Sequence, residues 1–513
     1  MNPQSDWQQL LRIALLGTRQ SGEAAPATGG LPVPDSRENQ LLQAAGTLAL
    51  IRKAGFKPAA DAPAVPAAAP TEILPTLGSV GLQCLQQLLD GQHAPLFAEY
   101  LAQLAQHGRR VPHRLLPSLL DYITPRPELQ LHAPDVLGER GPWLASLNPA
   151  WAPVFAMPDE EALWETGTHK QRQRYLENLR LQNPQQAREL LSAALPQEAA
   201  KQQAALLTAL TVNLGPEDAA LLEQYLNSKG KEVRQVVAPM LARISGSALA
   251  ERLWLRASKM VQVKRSLLHG RQLHIELPEA WAAEWQADGV EQKDARFTGE
   301  KAAWLGQMLA LIPPARWTEQ FKLPPSRLLE LVIESDWAPL LLPAWSAAAQ
   351  LHHDRAWALA LLNVSLAQEQ NVSFSWNLLG VPPRAAVAEL LLTHLQSLNS
   401  LTYPASRPAE ALAYLPGPWP RRLNERAVEL VQNTIVAAAQ SPTGYQVLQG
   451  LDRLLNHLGH AAEPASFDSV SEQLQALLEY FPDYQRLVHR TLDTLYFRRQ
   501  MAASLLEPPG PDS

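Results

Sequence analysis

The segment 231–244, KEVRQVVAPMLARI, constrains the fold of this chain more than any other part of the sequence. Its apolar side chains recur every three or four residues, as in a helix that packs one face against neighbouring helices. They are Val233, Val236, Val237, Met240, Leu241 and Ile244. This stripe is typical of the second helix of a HEAT-type helical hairpin. Pro239 removes one backbone donor inside it and predicts a bend.

The helical pattern continues upstream of this segment. Asn183 is placed to cap a helix that begins at Pro184, and Gly215-Pro216 restarts the pattern. Because the starts at Pro184 and Pro216 are 32 residues apart, they fit a solenoid period. We therefore predict an all-α fold, a HEAT-like array of helical hairpins (an α-solenoid) with proline-rich connectors. The pattern does not decide which helix pairs with which.

One segment departs from the helical pattern. Residues 272–277, QLHIEL, alternate apolar and polar side chains, which indicates a short strand or an extended strap. At most one small strand pair is expected. Prolines recur every few residues between about 111 and 158 and predict that helices there are short.

Two helices open the chain. The apolar residues of each share a face, and they are Trp7, Leu10, Leu11, Ala14 and Leu15 in the first and Leu41, Leu42, Ala45, Leu48 and Ala49 in the second. The segment 57–70 then alternates Pro and Ala, which favours an extended tether over a packed element.

Composition and pattern divide the chain into five regions. We expect an N-terminal helical region at 1–158 that includes the 57–70 linker, HEAT-like repeats at 159–265, a Trp- and Pro-rich helical region with the short strand at 266–383, a C-terminal helical region at 384–505, and a disordered tail at 506–513.

The composition is that of a soluble cytoplasmic protein. Hydrophobic residues make up 46% of the 513 residues, and charge or proline interrupts every apolar run before the ~18–20 residues that a membrane span needs. The N-terminus has an acid and no base before its apolar stretch, unlike a secretory signal. The single cysteine, Cys84, excludes an intramolecular disulfide and is expected to be a small buried side chain.

The sequence shows no pattern of catalytic, cofactor-binding or metal-binding residues. It lacks a phosphate-binding glycine loop and a Gly-x-Ser-x-Gly elbow. His352, His353 and Asp354 are consecutive, so on a helix their side chains would diverge and could not easily converge on one ion. We expect no cofactor and no metal, and enzymatic activity is the weakest of the hypotheses.

A basic cluster follows the segment 231–244. Arg252, Arg256 and Lys259 are spaced to form one stripe on a helix, and Lys264 and Arg265 come soon after. These five residues are the predicted partner-binding site, although a solvated or salt-bridged face would give the same pattern. The net charge of −6 and the scarcity of aromatic residues among them argue against nucleic acid.

Several blocks of the chain look like those of a known group of proteins. They are WQQLLRIALLGT at 7–18, GPWLASLNPAW at 141–151, WETGT at 164–168 and KEVRQVVAPMLARI. Together they resemble an uncharacterised bacterial family, a domain of unknown function. The resemblance implies genes near MoxR-type AAA+ ATPases, von Willebrand A domain proteins and SWIM zinc-finger proteins, and hence a part in a multi-protein assembly.

Two functions of different classes follow from these observations. The first is a non-enzymatic scaffold or adaptor that binds proteins, with a MoxR-type ATPase and a von Willebrand A protein as partners. The alternative is a HEAT-like protein that binds nucleic acid or repairs DNA.

Overall fold

The computed structural model describes residues 3–26, 30–54, 66–130, 132–155, 164–165, 167–266, 270–367, 376–402, 406–440 and 445–510. The chain forms two compact units, Met1–Ala69 and Pro70–Ser513. The five regions expected from composition stay a prediction. The described residues are mainly α-helical and contain one two-stranded sheet, so the all-α prediction is confirmed. None of the described helices combines the length and apolarity needed to span a membrane.

The first unit is a pair of helices, α1 (Pro3–Leu16) and α2 (Arg37–Lys53). Ser36 caps α2 by accepting a hydrogen bond from the Asn39 backbone N–H. Thr18, just beyond α1, donates to Glu38 in the first turn of α2 at 2.8 Å, so the two helices are antiparallel. The core between them is small, with Leu10, Ala44 and Leu48 buried and Trp7, Ala25, Leu41 and Ala45 packed around them. The 57–65 part of the expected linker lies outside the described residues.

The second unit begins with six helices, several of them only one or two turns long, as the proline density predicts. They are α3 (Ser79–Leu89), α4 (Phe97–Gln106), α5 (Leu116–Ile123), α6 (Ala133–Val136), α7 (Arg140–Leu147) and α8 (Ala152–Phe155). Their core is shared with the last helix of the chain, which contributes Phe497, Met501 and Leu505.

The predicted hairpins lie in the middle of this unit. Asn183 accepts a hydrogen bond from the Gln186 backbone and Pro184 is the first residue of its helix, as predicted. The helices are α9 (His169–Gln182), α10 (Pro184–Ala194), α11 (Ala200–Leu207), α12 (Ala219–Leu226), α13 (Lys231–Arg243) and α14 (Ala248–Met260). α13 is the helix of the opening segment, packs against α11 and α12, and contains Pro239. Their stacking as HEAT-like repeats stays a prediction.

A β-hairpin follows α14. Strands β1 (Val261–Ser266) and β2 (Gly270–Ile275) pair antiparallel, with Val261 opposite Ile275, which confirms the strand expected near residue 272. Val261 and Ile275 are buried at its base.

The remainder of the unit returns to helices. They are α15 (Glu284–Ala287), α16 (Glu300–Leu311), α17 (Ala315–Phe321), α18 (Pro325–Ile333), α19 (Ala338–Leu351), α20 (Arg355–Ala367), α21 (Arg384–Leu395), α22 (Arg407–Leu412), α23 (Arg421–Gln440), α24 (Tyr445–Ala461), α25 (Phe467–Tyr480) and α26 (Gln485–Leu506). Trp317, Trp345 and Trp357 are buried among them and contact one another edge-on or tilted, which fills the space between short helices with large rings.

The end of the chain is tied to the beginning of this unit. Helix α26 packs against α24, α25 and α3. Beyond it, the Glu507 carboxylate accepts hydrogen bonds from the backbone N–H groups of Ser79 and Val80 at 3.1 and 3.0 Å. Its charge therefore caps the N-terminus of α3, and the disordered tail expected from residue 506 stays a prediction. Residues 511–513 lie outside the described residues.

Candidate protein-interaction surfaces

Two of the five predicted binding residues are held by a buried partner inside the chain. Arg252 on α14 donates from Nε to Asp288 Oδ1 at 2.7 Å and lies 3.3 Å from Glu223 Oε2. Arg256, one turn further along α14, donates to the other oxygen of Asp288. The Asp288 side chain is only 6% exposed and follows α15, so the two arginines hold α15 against α14. Burial would lower the pKa of Arg252, but Asp288 and Glu223 outweigh it and raise this pKa.

The other three predicted residues are exposed. Lys259 ends α14, and Lys264 and Arg265 lie on β1. Lys264 Nζ is 3.5 Å from Glu276 Oε1, and both side chains are more than half exposed. A hydrogen bond from His274, together with the charge of Lys264, lowers the pKa of Glu276.

The hairpin carries an uncompensated pair of like charges. Arg265 lies directly opposite Arg271 in the strand register, and both are exposed. Like charges in this position destabilise a sheet. Within the described residues neither arginine has a carboxylate partner. The outer end of the hairpin is therefore a small basic surface of Lys264, Arg265 and Arg271, whereas the predicted stripe on α14 is partly used for folding.

Other charged side chains in the interior are also paired. Arg180 and Asp218 are each 1% exposed and form an ion pair of 2.7 Å. Arg234 and Glu291 form another, 2.6 Å long. Each pair joins a helix to a later segment of the chain, so both pairs stabilise the fold. Neither pair provides a free charged group for chemistry.

The residues considered for metal or thiol chemistry are structural. His352 is hydrogen bonded through Nε2 to the Leu311 carbonyl at 2.9 Å. Burial raises the pKa of the Cys84 thiol to about 11, which keeps it protonated and unreactive at neutral pH. In the part of the chain that the structure describes, no group of three or more His, Cys, Asp or Glu could hold a metal ion.

The first unit presents a large apolar surface that the sequence pattern does not reveal. Leu15 is 86% exposed, Leu42 69% and Leu50 68%. Eight of the described large hydrophobic side chains that are exposed lie on this short unit, namely Leu11, Leu15, Leu16, Leu31, Val33, Leu42, Leu50 and Ile51. Exposed apolar side chains at this density mark interaction sites more often than ordinary surface.

The two sides of the helix pair differ in what covers them. The connecting loop lies along one flank, where its carbonyls accept hydrogen bonds from Gln9 of α1 and from Gln40 and Gln43 of α2. Since each residue of a helix is turned by about 100° from the last, Leu11 and Leu42 lie on the opposite flank. That flank is exposed.

We call this uncovered flank the leucine face and define it by Leu11, Leu15, Leu42 and Ala49, all exposed. Gly46, on the same side of α2, adds no side chain and leaves room for a close neighbour. In the sequence, Leu11 and Leu15 belong to the same apolar stripe as Leu10. The structure shows that this stripe is wider than a single partner helix can cover, so Leu10 is buried and Leu15 is not.

Comparison with known proteins identifies a family and no activity. The sequence model described as "Family of unknown function (DUF5691)" matches residues 9–505, so the chain belongs to that family. No curated protein and no solved structure matches the chain. The expected membership of a family of unknown function is confirmed, while the genomic neighbours that the resemblance implies stay an expectation.

Proposed function

We propose that this member of the DUF5691 family is a non-enzymatic helical adaptor whose leucine face binds an amphipathic helix of a partner protein. The observation that carries the proposal is the exposure of Leu11, Leu15 and Leu42 on a unit with a very small core. Leaving such side chains in water forgoes roughly 1.5–3 kcal/mol each compared with burying them. A partner that covers the face recovers this free energy.

The shape of the face favours a helix as its occupant. Two antiparallel helices form a groove between them, and one further helix laid in that groove completes a three-helix bundle. Gly46 and Ala49 are small and lie on the same side of α2 as Leu42, so a helix can approach α2 closely there. A partner helix with apolar residues at i, i+3, i+4 and i+7 would match this groove.

The basic surface of the hairpin supplies a second, weaker contact in this proposal. Lys264, Arg265 and Arg271 are exposed, as is Lys259 in the last turn of α14, and they would face an acidic region of the partner. Charges of this kind speed association and tune salt dependence more than they add affinity. The partners implied by the resemblance, a MoxR-type ATPase and a von Willebrand A protein in the cytoplasm, are the first to test.

The test is affinity purification of the full chain from its native cell, with mass spectrometry. The triple variant Leu11→Gln, Leu15→Gln, Leu42→Gln removes the apolar face but leaves exposed helical positions that tolerate Gln. We expect the binding of the partner to weaken by at least about 100-fold, because the three leucines that the partner would bury are lost.

The matched control makes the same substitution at leucines that are exposed elsewhere. These are Leu147, Leu181 and Leu255, which are 48%, 66% and 61% exposed. This control variant should retain the partner. Recovery of the same proteins with all three forms of the chain contradicts the proposal.

The second hypothesis, nucleic-acid binding, is favoured by one observation: Arg265 and Arg271 lie opposite each other and have no carboxylate partner among the described residues. It predicts that nuclease treatment removes the co-purifying material. It also predicts that reversing the charges of Lys264, Arg265 and Arg271 abolishes the co-purification. The adaptor hypothesis predicts that nuclease treatment has no effect and that this charge reversal weakens binding of the protein partner only at low salt.

A further inference from the structure

A cleft on the second unit, whose lining includes no residue of α14 or of the β-hairpin, combines positive charge with an apolar floor. It has a volume of about 510 Å³ and lies between α24 and α26. This size is within the roughly 300–1,000 Å³ typical of pockets that hold small ligands or short peptide segments. The side chains that decide its chemistry are Arg453, Arg486, Arg490, Leu448, Leu487 and Tyr445.

The charges of the cleft are incompletely neutralised. Arg490 lies 3.3 Å from Asp452, and the two side chains are 59% and 40% exposed, so this pair is weak. Arg453 and Arg486 have no carboxylate partner among the described residues and are exposed. Arg486 and Arg490 are one helical turn apart, a spacing at which like charges destabilise a helix. An anion between the arginines would remove that repulsion.

The apolar part of the cleft restricts the ligand further. Leu448 and Leu487 are each partly exposed within it, and Tyr445 at its end is 71% exposed. A purely ionic ligand would leave these three side chains in contact with water. A ligand that carries an apolar side chain next to its negative charge satisfies both halves of the cleft.

Asp452 decides between peptide and nucleic acid. Its carboxylate is paired with Arg490 and lines the same cleft as Arg453 and Arg486, where it would repel the continuous phosphate backbone of a nucleic acid. A peptide can place its carboxylates beside Arg453 and Arg486 and keep them away from Asp452. Guanidinium groups also match carboxylates in a two-pronged geometry.

We propose that the cleft between α24 and α26 binds an acidic peptide segment, with glutamate or aspartate side chains on Arg453 and Arg486 and a leucine or aromatic side chain on Leu448, Leu487 and Tyr445. This site is independent of the leucine face. An adaptor with both sites brings two partners together, and either site can fail its test without the other.

The test measures the binding of a fluorescent peptide to the full chain by anisotropy. The probe is a ten-residue peptide of glutamates with two leucines, compared with the same peptide in which Gln replaces Glu and with a single-stranded oligonucleotide of equal charge. The variant Arg453→Gln, Arg486→Gln should weaken binding of the glutamate peptide at least about tenfold, because two charge-assisted contacts are lost.

The control variant Arg421→Gln, Arg422→Gln makes the same change in net charge at exposed arginines of α23, which are 72% and 69% exposed. It should change binding less than twofold, as should the leucine-face variant. Tyr445→Ala should weaken binding while leaving the charge unchanged. Equal binding by the two arginine variants, tighter binding of the oligonucleotide, or no binding of the glutamate peptide at millimolar concentration overturns the proposal.

Discussion

Replacing Asp288 by Asn should release α15 from α14 and identify which of the predicted basic residues serve the fold. The amide removes the negative charge that Arg252 and Arg256 share and turns a donor toward one of them. Breaking a fully buried ion pair costs about 3–5 kcal/mol. The arginine side chains are 37% and 22% exposed, so their hydration offsets part of the free energy that is lost with the ion pair. We expect a destabilisation of about 2–3 kcal/mol.

Because a chain of two units need not unfold in one step, the assay is hydrogen exchange followed by mass spectrometry of peptides from α14 and α15. A loss of 2–3 kcal/mol corresponds to exchange that is about 30- to 150-fold faster. The matched control is Asp468→Asn, whose ion pair with Arg499 is mostly exposed at 72% and 53% and should leave exchange unchanged. If Asp288→Asn also leaves exchange in α14 unchanged, Arg252 and Arg256 do not act through the fold, and the reasoning is refuted.

Two further predictions concern buried and terminal charges. Burial would raise the pKa of Asp218, but the hydrogen bonds from Arg180 and its other donors outweigh burial and lower this pKa. The stabilisation that the Asp218 carboxylate provides is therefore present at neutral pH and is lost as the pH falls through the folded-state pKa. Asp218→Asn should speed hydrogen exchange at neutral pH by an amount equivalent to about 3–5 kcal/mol. It should also remove part of the loss of stability at acid pH, and a variant whose stability depends on pH as that of the wild type does would contradict this. Glu507→Ala should destabilise the first turn of α3 by about 1 kcal/mol, because the N–H groups of Ser79 and Val80 lose their acceptor. Hydrogen-exchange protection of α3 equal to that of the wild type would refute this prediction.

Much of the local structure could be predicted because its causes lie close together in the sequence. Asn183 caps the helix that begins at Pro184, and the alternation near residue 272 becomes β2. The apolar stripe of α13 is buried at Val233, Val237 and Leu241. In each case the residues that decide the structure lie within one or two helical turns or within one strand.

The candidate site was less predictable, because its contacts join distant parts of the chain. The pairing of Arg252 with Asp288 spans 36 residues, and no local pattern connects the two. A weak signal was present: Asp288 precedes Gly289, whose φ of +76° makes a tight turn that can aim the carboxylate at α14. The leucine face is a similar case, since periodicity places Leu11 beside Leu10 without saying which flank a neighbour covers.

The proposed adaptor function depends on the leucine face being a docking site for a partner protein. The most direct measurement places a photo-crosslinking amino acid at Leu15 or Leu42 of the full chain in its native cell, with Leu181 as the control position. These side chains are 86%, 69% and 66% exposed, so all three are open to solvent. The account predicts one shared partner adduct from positions 15 and 42 that position 181 does not give. A chain crosslinked only to a second copy of itself, or equal adducts from all three positions, would contradict it.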